Sequence, residues 1–70
     1  MLNIDKVNAA IFNWDQYLLY GKFEKLSLAH KLMKEYRAEG GELYKETEMA
    51  IASAKAQEDA IHEEAERHKR

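Results

Sequence analysis

Ile4, Val7, Ile11, Trp14 and Leu18 recur at spacings of three and four residues, which places them on one face of an α-helix. The pattern predicts a first helix over about 3–20, with Asn3 as its N-cap and Asp5 in its first turn. Phe12, Tyr17, Leu19 and Tyr20 add apolar surface beyond that stripe. A helix apolar over more than half its circumference must meet more than one neighbour. A second helix is predicted over about 23–38, with Leu26, Ala29, Leu32 or Met33, and Tyr36 on its apolar face. Lys31 and Glu35 are spaced to pair along it.

The third segment differs in kind. Over about 42–67 it is rich in Ala, Glu and Lys, all strong helix formers, and its apolar seam is thin. In one heptad frame the inward positions are Tyr44, Thr47, Ile51, Ala54, Glu58, Ile61, Ala65 and His68. A carboxylate and an imidazole on such a seam argue against a sustained zipper.

Glycine supplies the punctuation, since the chain has no proline. Gly21 and the Gly40-Gly41 pair separate the three segments, and glycine ends helices by entering the left-handed conformation at little steric cost. Gly21 is expected just past the first helix, with Phe23 folding back on its last turn as in a Schellman end. Ser27 offers an alternative, later cap for the second helix, leaving 21–26 as a loop. The connection at Gly21 is short, so the first two helices should form an antiparallel hairpin. The expected fold is all-α: that hairpin plus a long third helix extending beyond it.

At about 1.5 Å per residue the third helix would run about 40 Å, against about 25 Å for each of the others. The chain therefore divides into a helical core over 1–54 and a charged helical extension over 55–70. The apolar groups of the extension are Ala56, Ala60, Ile61 and Ala65, and alanine burial yields little. The expectation is a mobile extension with Ile61 as its anchor, ordering against a basic surface of another chain.

Charge refines this picture. Residues 1–41 carry six Lys/Arg against five Asp/Glu, whereas 42–70 carry five against eight. Glu42, Glu46 and Glu48 near the start of the third helix, and bases at its end, complement the helix macrodipole. The formal net charge of −2 argues against non-specific nucleic-acid binding. With 70 residues the chain is near the size at which one core needs help, and with no cysteine that help is neither a disulfide nor a thiolate metal site. The longest apolar run, Tyr17 to Tyr20, falls far short of the roughly 20 residues a membrane span needs. The first residues lack the basic-then-apolar profile of a signal peptide. A soluble, cytoplasmic protein is expected, with no membrane association.

Candidate chemistry is sparse. Glu58 with His62, Asp59 with His62, and Glu64 with His68 share helix faces, the spacing that carboxylate–histidine metal bundles use. Such bundles draw ligands from several helices, and the first two offer only scattered Asp5, Asp15, Glu24, His30, Glu35 and Glu39. A solvated helix end with local ion pairs is the plainer account. His30 is expected at the boundary of the second helix's apolar stripe. There is no glycine-rich phosphate loop and no convincing nucleophile–base pair, so neither an enzyme nor a cofactor is expected. Lys22, Lys25, Lys31, Lys34 and Arg37, joined by the terminal Arg67, Lys69 and Arg70, give the one hint of nucleic-acid binding. Gly40-Gly41 would serve as the turn of a helix-turn-helix unit, but the next helix opens with Glu42-Leu43-Tyr44-Lys45-Glu46, which repels phosphate.

These features predict a non-enzymatic helical interaction or regulatory module that self-associates as a homodimer, with another protein as a further partner. The expected interface residues are Phe12, Trp14, Tyr17, Tyr20, Phe23 and Ile61. A small nucleic-acid-binding regulator using the basic residues of the second helix is the alternative. A metal-binding carboxylate/His bundle is the second.

Overall fold

A computed structural model describes residues 4–68, with side chains through Arg67. It contains three helices: α1 (Ile4–Tyr20), α2 (Phe23–Ala38) and α3 (Lys45–His68). The first two match the apolar periodicity closely. Asn3, the expected N-cap of α1, and the terminal Lys69 and Arg70 lie outside the described residues.

Two glycine-bearing ends set the topology. At the first, Gly21 has φ +67° and its N–H donates to the Tyr17 carbonyl at 2.7 Å, the single-bond left-handed cap. The cap is this single bond rather than the expected Schellman pair, and Phe23 follows at once as the first residue of α2. Ser27 does not cap a later start. Lys22, in extended conformation and without a side-chain cap, begins α2, and its carbonyl accepts from the Lys25 N–H at 3.1 Å.

The Schellman motif appears at the end of α2 instead. The Gly40 N–H donates to Arg37 C=O at 2.9 Å and the Gly41 N–H to Tyr36 C=O at 3.0 Å. Gly40 supplies the left-handed residue, with φ +93°. Helix α3 then begins at Lys45, three residues later than the charge pattern alone suggests. Leu43 is the reason: residues 41–44 stay non-helical, which lets this side chain turn under the bundle into the core. Its N–H is satisfied by the Glu48 carboxylate at 3.2 Å, while the Glu48 N–H donates to Tyr44 C=O at 3.0 Å. The first bond satisfies a donor just before the helix start with a side chain from its first turn, and the second is the first backbone bond of the helix itself.

The buried core comprises Ala10, Leu26, Ala29, Met33, Tyr36, Leu43 and Ile51, with Val7, Trp14, Tyr17, Leu32 and Ala54 packed around it. Four of those seven belong to α2, which packs against both other helices. On α1 the expected inward stripe is only partly the inward face: Val7 and Trp14 pack against the core. Ala10 and Asn13 are buried, while Ile4 and Leu18 are exposed. At about 100° of rotation per residue, the side of α1 that carries Val7, Ala10, Asn13, Trp14 and Tyr17 is turned about 75° from the centre of its apolar stripe. Small Ala10 permits close approach to α2, and Asn13 satisfies its amide by donating to Ala9 C=O at 2.8 Å. On the same side Lys6 pairs with Glu39 and lies 3.5 Å from Glu35. Glu35 thus meets Lys6 of α1 rather than the expected Lys31.

Helix α3 reaches past its neighbours, and the molecule extends 47 × 24 × 17 Å. Its contacts with the hairpin continue beyond Lys55, through polar groups. Tyr17 donates to Glu58 at 2.9 Å, and the His62 ring lies 4.4 Å from the Phe23 ring. Ile61 is 61% exposed and does not anchor the segment; His62, one position on, makes the contact.

Candidate interaction surface

Rotation of α1 leaves an apolar surface without a neighbour among the described residues. Ile4, Phe12, Leu18, Leu19 and Tyr20 are 57–70% exposed, and Ile11 beside them is half-buried. Around the helix axis Leu18, Ile4, Leu19 and Phe12 span about 120° of continuous arc, and Tyr20 lies about 80° further on. Asn8 and Asp15 are exposed within that arc. Exposed apolar residues scattered singly need no explanation, but a contiguous face on one helix marks an interaction site.

The structure does not bring the six expected interface residues together. Phe12 and Tyr20 lie on the exposed side of α1. Trp14 and Tyr17 stack on each other, centroids 5.7 Å apart, and pack against the core. Phe23 is occupied by His62 and by Lys55, whose ammonium lies 5.4 Å from the ring centroid. Ile61 sits apart on α3 with Ala60, Glu64 and Ala65, at the rim of a shallow open depression. The residues that aromatic content overlooked are aliphatic: Ile4, Leu18 and Leu19. Their signal was present in the width of the α1 apolar face, which exceeds what one neighbouring helix can cover.

The basic residues do not form one surface either. Lys22, Lys31, Lys34 and Arg37 are exposed, but Lys25 is half-buried and lies about 180° around α2 from Lys34. Arg37 faces Glu48, with Nε 3.9 Å from its carboxylate. The acids and imidazoles of α3 are likewise dispersed. His62 lies 3.9 Å from Glu58, Asp59 is held by Lys55 at 2.7 Å, and the His68 side chain is outside the described residues. Among the described residues no three His, Asp or Glu side chains are grouped to hold a metal ion.

Titration is shifted at Lys6, Tyr17 and His30. Hydrogen bonding to Glu39, reinforced by the charges of Glu39 and Glu35, raises Lys6. Donation to Glu58, with burial, raises Tyr17. Burial, with Lys55 and Lys34 nearby, lowers the half-buried His30. A depression of about 290 Å³ is lined by Ile4, Val7, Tyr36, Glu42, Leu43 and Tyr44.

No helix among the described residues is long and apolar enough to cross a membrane. Comparison with protein families, with curated proteins and with solved structures finds no match.

Proposed function

We propose that this chain is a non-enzymatic helical interaction module that self-associates through the exposed face of α1, as a two-fold dimer. The observation that carries this reading is the exposure of Ile4, Phe12, Leu18 and Leu19 along one side of a regular helix. Full burial of each aliphatic side chain is worth about 1.5–3 kcal/mol, so leaving four large groups in water is costly for a chain with so small a core. A closed two-fold pair covers the same face on both copies and leaves none over.

Light scattering on the wild type and on Leu18→Lys tests it. The wild type should scatter as a dimer at tens of micromolar, and the variant as a monomer with unchanged helical circular dichroism. Equal masses for the two proteins would remove α1 as the association surface.

A further inference from the structure

Along the centre of the exposed α1 face, Ile4, Asn8, Ile11, Asp15 and Leu18 follow one another at spacings of four, three, four and three residues. This is the seam of a helix that packs against another helix, with polar groups at alternate positions. Asn8 and Asp15 are seven residues apart, hence within about 20° of one line down the helix. We propose that two copies of the chain pair antiparallel along α1, with Asn8 of each copy donating its side-chain amide to Asp15 of the other. This rests on the self-association reading and deepens it, by naming the occupant and its register.

The pattern is complementary to itself in one direction only. A two-fold axis passing between residues 11 and 12 exchanges position 8 with position 15 and position 4 with position 19. Donor then meets acceptor twice, Ile4 meets Leu19, and Ile11 lies beside the axis. The two Asp15 carboxylates stand about 10 Å apart along the helices, near the Debye length of physiological salt. In a parallel pairing Asp15 would face Asp15 directly, Asn8 would face Asn8, and the two helix dipoles would align unfavourably. A polar residue on an otherwise apolar seam fixes register because any slip leaves it facing hydrocarbon. An unrelated apolar helix would bury the Asp15 charge without a donor. A second copy brings the donor in the right place.

The chain has no cysteine, so single cysteines report the geometry without background. Ile11→Cys should cross-link to itself under mild oxidation. Ile4→Cys alone should not, and an equimolar mixture of Ile4→Cys with Leu19→Cys should give the mixed disulfide dimer. Self-cross-linking of Ile4→Cys as readily as the mixture would mean a parallel pair and overturn the proposal. A wild-type dimer with no cross-link in any of these samples would place the interface elsewhere, overturning the proposal while leaving self-association intact. A wild-type monomer at every concentration would overturn both and leave the face to a different protein. A second test uses polarity. Asn8→Asp sets like charges opposite each other and should weaken dimerisation about ten-fold or more. Adding Asp15→Asn to it restores the donor–acceptor pair in reverse and should recover wild-type affinity. Asn8→Asp without effect, or a double variant no better than the single, would also overturn the register.

Discussion

Gly41 lies flat against the ring of Tyr36, so close that a Cβ there would stand 2.4 Å from the ring carbon bearing the hydroxyl. Its neighbour Gly40 has open space around it and is required for the opposite reason, its φ of +93°. The two glycines that end α2 therefore do separate jobs: one bends the backbone, the other makes room for a buried aromatic ring.

That separation predicts different behaviour in a double-mutant cycle. Gly41→Ala should cost about 1–3 kcal/mol through overpacking, and Gly40→Ala about 1–2 kcal/mol through the left-handed conformation. In a Tyr36→Leu background the Gly41→Ala penalty should largely vanish, while that of Gly40→Ala should persist. Urea denaturation at one fixed protein concentration measures both. If Gly41→Ala costs as much without the ring as with it, the account of this turn is wrong.

Beyond Ile51 and Ala54, the stretch of α3 over 58–62 meets the hairpin through Tyr17 and Phe23 rather than through its own apolar residues. Phe23→Ala should accelerate amide hydrogen exchange over 58–62 while leaving Ala29 and Met33 protected. Residues 63–67, all exposed, should exchange faster than Ile51 even in the wild type. Unaltered exchange at 58–62 in Phe23→Ala would show that the ring contacts do not hold the helix.

His30 makes stability pH-dependent in a stated direction. Its pKa in the folded chain is lowered from the ordinary 6.5 by burial first, then by Lys55 and Lys34, with Asp59 opposing. The unfolded chain therefore binds the proton more readily. Stability should fall as pH drops through 6.5 and this contribution should level off below the folded pKa. Melting curves of the wild type and His30→Gln across that range check it, and the variant should show a shallower decline. Identical slopes would rule out His30 as the source.

Much of the fold was legible because apolar spacing and glycine position act locally. Leu26, Ala29, Met33 and Tyr36 declared the α2 core face, and Gly21 and Gly40 declared the ends of α1 and α2. The facing of α1 was not legible. Its apolar stripe is broad enough to permit several rotations, and the choice fell to close approach at Ala10 and to the Lys6–Glu39 pair, which join residues far apart in sequence. The start of α3 at Lys45 was not legible for a related reason: Leu43 is buried from a non-helical segment, against residues far from it in sequence. Aromatic residues drew attention away from Ile4, Leu18 and Leu19, although rings that stack and pack in the core, such as Trp14 and Tyr17, are no longer free to recognise a second chain. The register pair Asn8 and Asp15 carried a signal only once the face around it was known to be open.

The central claim is that the open face of α1 is closed by a second copy of the chain. Sedimentation equilibrium of the unmodified protein across a concentration series tests this most directly. The account predicts a mass of twice 8.2 kDa at tens of micromolar, falling towards the single-chain value on dilution. A mass of 8.2 kDa at all concentrations, for a protein that unfolds cooperatively, would contradict it.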